Sequence, residues 1–294
     1  MVSINLTAFL VAATCSLGAY AAAASRNKAA SPWSTLPPTP KLPGNPKGTK
    51  TTINGVEIWH AEFGTKESSK LPVIMLHSGL GNSDYWGSVI ELVMKKHYVI
   101  VMDTRGQGRS TTDTKLPSFE VYASDAGKLL KSLHIEKAAW VGWSEGANTI
   151  LAALMDEKLA PMVDRAFTIG AWHHVAAQNV AYTRSPIYDE FMKRASAEYK
   201  IHQPSGNFMA LLTKSTILKS TRPMWTESDL AKIKLGSNLT LSWGLHEEVV
   251  NMKETMILPS YIKNSKRVVM RGVSHFAPLQ DPVQFTTKLE AFLS

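Results

Sequence analysis

The chain has 294 residues, of which 44% are hydrophobic and 19% are charged, which is enough for one large domain with a well-buried core. The formal net charge is +8, but the lysines and arginines are scattered and no DNA or RNA recognition motif occurs, so we expect a solvated surface and no nucleic-acid partner. The single cysteine, Cys15, excludes a disulfide bond within the chain.

The first residues have the pattern of a targeting segment. An apolar stretch over 6–17 is followed by small residues, and Ala19-Tyr20-Ala21 fits an A-x-A cleavage site. The pattern predicts a signal peptide over 1–24, a secreted or extracytoplasmic protein, and no stable membrane span in the mature chain. The alternative is an uncleaved N-terminal segment that anchors the chain. The prolines that follow predict an extended, poorly packed linker over 25–50.

From residue 51 onwards, short apolar strands alternate with helices, and we assign 51–294 to one domain. A hairpin signal over 52–59 turns at Asn54-Gly55. Buried strands are predicted at 72–76, 98–102, 138–141, 166–169, 239–243 and 267–270. Helices are predicted at 84–96, 122–133, 147–159 and 282–292. Fully apolar strands in this alternation predict an α/β fold with a mostly parallel central sheet flanked by helices.

One stretch, 172–235, interrupts the alternation between two late strands. It has no clear strand, it has helical patches such as 188–199, and it contains many aromatic and methionine residues. A long insertion within a compact domain usually has a function, so the pattern predicts a small helical cap over the site. An outer helix with long loops is the alternative.

The pentapeptide Gly142-Trp143-Ser144-Glu145-Gly146 lies between a predicted strand and a predicted helix. This strand, sharp turn and helix form the context in which G-x-S-x-G acts as a nucleophile elbow. The turn exposes the serine hydroxyl above the sheet, and the helix directs its N-terminal N–H groups at the reacting oxygen. Ser144 is therefore the candidate nucleophile.

A serine nucleophile needs a base, and the base needs an acid that orients it. His275 follows a late strand within Gly272-Val273-Ser274-His275-Phe276 and is the candidate base. The turn after the preceding strand carries two adjacent carboxylates. We expect Glu247 to be the acid, with Glu248 as the alternative, so that the chain order is serine, acid, histidine.

An oxyanion needs two N–H donors. We expect one from Glu145, directly after the serine, and the other from Gly79 in the glycine-containing loop 77–81, with Leu80 as the alternative. This loop lacks the G-K-[ST] ending of a phosphate loop and is too short for a dinucleotide fingerprint. The histidines show no metal-ligand spacing, so we expect neither a cofactor nor a metal.

Five motifs give the chain a family resemblance from about residue 51 to its last residue. They are H-x-G at 77–79, D-x-R-G-x-G-x-S at 103–110, G-W-S-x-G at 142–146, the G-x-x-acid turn at 244–247 and G-x-S-H-F at 272–276. Together they resemble the α/β-hydrolase fold superfamily, in its small serine-hydrolase branch. Two departures stand out: Ser78 replaces a more common glycine, and Glu247 replaces a more common aspartate.

The resemblance implies an esterase-like hydrolase without a cofactor. Ser144 would attack a carbonyl, His275 would take the proton, Glu247 would hold the imidazole, and the N–H groups of Gly79 and Glu145 would stabilise the oxyanion. The expected partner is a small-molecule acyl substrate, namely a small or medium apolar carboxylic ester. Lactone opening, carbon–carbon hydrolysis, cofactor-free perhydrolysis and a ligand receptor built on the fold are the alternatives.

Overall fold

The structure, a computed structural model, describes residues 31–294. The predicted signal peptide over 1–24 lies outside these residues. Eight strands of the described chain form one sheet: β1 (Thr49–Ile53), β2 (Val56–Phe63), β3 (Val73–Leu76), β4 (Val99–Met102), β5 (Ala138–Trp143), β6 (Val163–Ile169), β7 (Leu239–Gly244) and β8 (Lys266–Met270). Their order across the sheet is β1-β2-β4-β3-β5-β6-β7-β8.

The sheet is parallel except at one edge. The β1–β2 hairpin joins the edge of β4 in antiparallel fashion, and all other neighbouring strands run parallel. Strands β3, β4, β5 and β7 are buried at every position, which is typical of parallel strands covered on both faces. The predicted mostly parallel sheet is confirmed.

The described chain contains nine α-helices: α1 (Gly87–Val93), α2 (Phe119–Ser132), α3 (Glu145–Met155), α4 (Pro186–His202), α5 (Phe208–Thr221), α6 (Glu227–Leu230), α7 (Glu254–Tyr261), α8 (Ala277–Gln280) and α9 (Pro282–Leu293). The expected start of α9 is confirmed, because the Asp281 side chain accepts the Gln284 N–H at 2.8 Å. The helix predicted over 84–96 is shorter at both ends, because Ser83–Trp86 is a 3-10 helix and α1 ends at Val93.

Helices cover both faces of the sheet. Alternate residues of β3 point to opposite sides, so Ile74 packs in a cluster with Leu129 of α2 and Ile150 of α3. Met75 packs on the other face in a cluster with Ile90 of α1 and Phe285 of α9. The core is therefore a sheet between two helical layers, and the carboxyl ends of its parallel strands carry the loops described below.

The segment predicted as a cap, 172–235, folds into α4, α5 and α6 between β6 and β7. Each of these helices begins with a polar side chain that accepts a backbone N–H of its first turn, from Ser185, Asn207 and Thr226 respectively. Among residues 31–294, none of the helices combines the length and the apolar composition that crossing a membrane requires.

The N-terminal segment, residues 32–48, packs on the domain. Leu42 is buried, the Trp33 ring stacks on His246 with 4.2 Å between centroids, and Arg194 of α4 donates to the Leu36 carbonyl at 3.0 Å. The described part of the linker predicted over 25–50 therefore contacts the domain at several points, while Leu42 is its one buried residue and the others are exposed or half-buried. Prolines restrict the unfolded chain, which lowers the entropy cost of ordering an extended segment on a surface.

Candidate active site

Ser144 occupies a strained turn between β5 and α3. Its backbone has φ 57° and ψ −114°, a conformation that non-glycine residues rarely adopt. The Ser144 N–H donates to the Ile169 carbonyl at 2.8 Å, which fixes the turn to the end of β6. The serine is thus held at the carboxyl end of the sheet, where β5 passes into α3.

The two glycines of the elbow permit close packing. A Cβ atom on Gly142 would lie 2.5 Å from the Gly146 carbonyl oxygen, and one on Gly146 would lie 2.3 Å from the Leu76 carbonyl oxygen. Any side chain at either position would push α3 away from the sheet. The sequence pattern therefore has a direct steric reason in this fold.

His275 and Glu247 form a buried pair in the same region. The Nδ1 atom of His275 lies 2.7 Å from Oε1 of Glu247, and that oxygen also accepts the N–H groups of Val249 and Val250, each at 3.1 Å. A carboxylate fixed by two backbone donors holds the imidazole in one orientation. With Nδ1 bound in this way, Nε2 of His275 is the nitrogen left to exchange a proton.

Glu248, the alternative acid, contacts the backbone of His275 rather than its ring. Its Oε2 accepts the His275 N–H at 2.9 Å, and its Oε1 accepts the Ser274 hydroxyl at 3.0 Å. The two adjacent carboxylates therefore have separate contacts, one on the ring and one on the loop that carries it. Burial, together with the neighbouring Glu247 carboxylate, raises the pKa of Glu248 to about 7.

This raised pKa gives a prediction for stability. Between the ordinary pKa of 4.5 and about 7, the native state keeps a proton on Glu248 that the unfolded state releases, so the stability contributed by this group falls as the pH rises. We subtract the melting temperature of Glu248→Gln from that of the wild type, and we expect this difference to decrease between about pH 5 and pH 8. Thermal unfolding of both proteins across this range measures the difference. A difference that stays constant contradicts the prediction.

Gly170, which the sequence analysis did not single out, lies against the imidazole. Its φ is +68°, and a Cβ atom there would lie 2.5 Å from Cε1 of His275. On another side, the Trp143 ring has its centroid 6.3 Å from that of His275. The Gly170 backbone and the Trp143 side chain therefore confine the imidazole ring. Gly170 follows β6 and is far from His275 in the sequence, so this contact is recognised only in the folded chain.

Three backbone N–H groups near Ser144 have no acceptor in the described part of the chain. Glu145 is the first residue of α3, so its N–H belongs to the unpaired first turn of that helix. Gly79 and Leu80, in the turn after β3, line the same pocket as Ser144, and Leu80 has φ 63°. The two N–H groups predicted as oxyanion donors, and that of Leu80, are thus available to a ligand oxygen.

Ser78 precedes these donors at the position where the resemblance would favour glycine. The residue is buried and lines the same pocket, and its hydroxyl oxygen has no hydrogen-bond partner among the described residues. A buried hydroxyl without a partner costs stability, so this one is a ready contact for a bound molecule.

A pocket of about 450 Å³ brings these residues together. Ser144 and His275 line it, and so do many residues of the segment between β6 and β7. Apolar and aromatic side chains dominate the lining, including Trp172, Tyr182, Phe191, Leu212 and Phe276. A concave apolar pocket with a few convergent polar groups is the usual form of a small-molecule site. Within residues 31–294, no group of three or more His, Cys, Asp or Glu side chains is arranged to hold a metal ion.

Comparison with known proteins finds similarity to hydrolases of one fold. A family model described as the alpha/beta hydrolase fold matches residues 72–198. The non-heme chloroperoxidase of Burkholderia pyrrocinia is 25% identical over 166 residues, which cover 54% of this chain and 59% of that protein. The bifunctional esterase/perhydrolase DCH of Acinetobacter calcoaceticus is 31% identical over 105 residues, which cover 35% of this chain and 37% of that protein. The chain thus spans 59% and 37% of the lengths of these two relatives.

A solved structure extends the similarity over most of the fold. A thermophilic esterase from Thermogutta terrifontis, solved with malate bound, matches with a TM-score of 0.64 at 19% identity, over 84% of this chain and 96% of that one. The similarity at this level of identity concerns the fold. With the matching family model over the segment that carries Ser144, it identifies the fold of the chain as the alpha/beta hydrolase fold.

Proposed function

We propose that the protein is a serine hydrolase that cleaves a small or medium apolar carboxylic ester through an acyl-enzyme. The observation that carries the proposal is the 2.7 Å contact between His275 Nδ1 and Glu247 Oε1, beside a pocket that both His275 and Ser144 line. This contact leaves Nε2 of His275 as the base for a serine on a strained elbow. The sequence similarity to esterases and other hydrolases of the fold supports the same reaction class.

In the proposed mechanism, Ser144 attacks the ester carbonyl and His275 takes its proton. Glu247 stabilises the imidazolium that forms, and the N–H groups of Gly79 and Glu145 bind the oxyanion. His275 then protonates the departing alcohol, which leaves the acyl group on Ser144. A water molecule, deprotonated by His275, attacks this acyl-enzyme; His275 then returns the proton to the Ser144 oxygen as the carboxylic acid leaves. Each step needs only groups that line this pocket or border it.

The substrate class follows from the pocket. Its volume of about 450 Å³ suits a ligand of small to medium size, and its apolar walls favour an uncharged acyl chain. We also propose that the segment between β6 and β7, with α4 and α5, acts as a cap, since residues of both helices line the pocket together with Ser144. Differences in acyl preference would then be determined mainly by this segment.

Fluorophosphonate labelling and a series of nitrophenyl esters test the proposal. We expect the protein to be labelled on a serine and to hydrolyse butyrate and hexanoate esters faster than laurate esters, because the long chain exceeds the pocket. Heat-denatured protein is the control for non-specific reaction. If the native protein is neither labelled nor active on any ester, the proposal is wrong and a ligand receptor becomes the better interpretation.

Cofactor-free perhydrolysis is a second candidate, because one relative is named an esterase/perhydrolase and another a non-heme chloroperoxidase. Hydrogen peroxide would replace water as the acceptor of the acyl group from Ser144 and would yield a peracid. Peracid formation from an acetate ester and hydrogen peroxide measures this activity directly. Hydrolysis without any peracid would assign the pocket to ester cleavage alone.

We further propose that the protein is exported, on the basis of the targeting pattern over 1–24. Expression in the native host, followed by fractionation and N-terminal sequencing, tests this. A mature N-terminus near residue 22 in the extracytoplasmic fraction is the expected result. A full-length chain in the membrane fraction would support the anchored alternative instead.

A further inference from the structure

The side chain of Glu145 is buried beside the nucleophile and is contacted from the segment between β6 and β7. Its Oε1 lies 3.2 Å from Nζ of Lys219, and it accepts the Ser215 hydroxyl at 3.2 Å. Its Oε2 accepts the Gln107 side-chain amide at 3.3 Å. Lys219 and Ser215 lie one turn apart on α5, so one face of that helix holds this carboxylate.

The same carboxylate lies directly on the loop that carries the other oxyanion donor. A Cβ atom on Gly79 would lie 1.8 Å from Oε1 and 2.7 Å from Oε2 of Glu145. Only glycine leaves room for the carboxylate at this position. Glu145 therefore provides one donor through its backbone and supports the loop of the other donor, Gly79, through its side chain.

The charge of Glu145 poses a problem for the proposed reaction. A buried carboxylate close to both donors would repel the negative charge that develops on the substrate oxygen, since charges interact strongly where water is excluded. Lys219 is the cation that contacts this carboxylate, and it also lines the pocket. Its side chain is 33% exposed, whereas that of Glu145 is 3% exposed, so the ammonium reaches the buried acid from the pocket side.

We propose that Lys219 is a positioning residue for the oxyanion hole, which it serves by neutralising Glu145 and holding that carboxylate against Gly79. The inference rests on the proposed ester hydrolysis. According to this proposal, helix α5 supports the reaction through Lys219 and also lines the pocket. Without the ammonium, the carboxylate keeps an uncompensated charge near the oxyanion and loses one of its fixed contacts.

A double-mutant cycle tests this proposal. Lys219→Met is made in the wild type and in Glu145→Gln, and kcat and KM are measured on nitrophenyl butyrate. In the wild type we expect kcat to fall about 10- to 100-fold with little change in KM, because only the charged transition state is affected. In the Glu145→Gln background the same substitution should lower kcat less than about threefold, because the repelling charge is absent.

Controls separate this effect from a general loss of structure. Lys214→Met is the matched change on the same helix: Lys214 contacts Thr112 and the Asp113 carbonyl outside this pocket, and its replacement should leave kcat unchanged. Lys219→Arg, which keeps the charge, should retain most of the activity. If Lys219→Met does not fold, Lys219→Gln replaces it in both backgrounds. For variants whose kcat is too low to measure, the rate of fluorophosphonate labelling reports the reactivity of Ser144 instead.

The outcomes are distinct. An equal loss of kcat in both backgrounds would overturn the proposal, because Lys219 would then act independently of Glu145. A rise in KM with unchanged kcat would also overturn it and would make Lys219 a substrate-binding residue. A wild type that neither hydrolyses esters nor reacts with fluorophosphonate would overturn the proposed function itself, and this inference with it.

Discussion

Replacement of Ser144 by alanine is expected to lower kcat for ester hydrolysis by at least about 10⁴-fold, since the proposed acyl-enzyme forms on the Ser144 hydroxyl. Fluorophosphonate labelling should disappear in the same variant. The melting temperature should stay within about 5 °C of the wild-type value, because the substitution removes one hydroxyl and leaves the backbone turn in place. Steady-state kinetics and thermal unfolding on the same preparations measure both effects.

A matched serine controls for the substitution itself. Ser260 is exposed on α7, and its hydroxyl donates only to the Ile257 carbonyl of its own helix, so Ser260→Ala should keep full activity and labelling. If Ser144→Ala retained a substantial fraction of the wild-type kcat, Ser144 would not be the nucleophile. Mass spectrometry of the labelled peptide would then identify the serine that reacts.

The two adjacent carboxylates should respond differently to the same chemical change. Glu247→Gln removes the negative charge that faces the His275 ring, and its amide can turn an N–H towards Nδ1, which favours the wrong tautomer. We expect kcat to fall by about 10³- to 10⁴-fold. Steady-state kinetics at about pH 8 measures the loss.

Glu248→Gln is the matched control. Its amide oxygen can still accept the backbone N–H of His275, so we expect a loss of less than about tenfold. A variant at Glu248 that loses as much activity as Glu247→Gln would contradict the separation of roles between the two carboxylates. Equal small losses for both would mean that neither one orients the base.

The central sheet and the order of the site residues could be predicted because both depend on local patterns. Strands such as β3 and β4 are apolar at every position, and parallel strands buried on both faces require this composition. The turns that follow β5, β7 and β8 then carry Ser144, Glu247 and His275 at the same edge of the sheet. In a parallel sheet, the carboxyl ends of the strands meet at one edge.

Other features depend on contacts between distant residues. Which of Glu247 and Glu248 faces the ring is decided by the Val249 and Val250 N–H groups, which fold back on Oε1 of Glu247. Helix α5 was not recognised as a separate helix. Its buried positions are Leu211, Ser215 and Leu218, and the buried serine interrupts the apolar spacing because it contacts Glu145.

The contacts of the N-terminal segment with the domain could not be predicted for a related reason. Its prolines indicate an extended chain, but the groups that bind it, Arg194 and Gln280, lie 158 and 247 positions away from their partners in it. A composition-based argument considers the segment alone. The side chains that bind its carbonyl groups belong to α4 and α8, whose positions only the folded chain defines.

The strained turn at Ser144 sets stability against reactivity in the choice of residue at this position. A residue held at φ 57° costs of order 1–3 kcal/mol, and glycine would relieve most of this cost. Selection for stability alone would therefore favour glycine at this position. Within residues 31–294 the Ser144 hydroxyl makes no hydrogen bond that offsets this cost, so a serine at this position is expected where its hydroxyl is needed for reactivity.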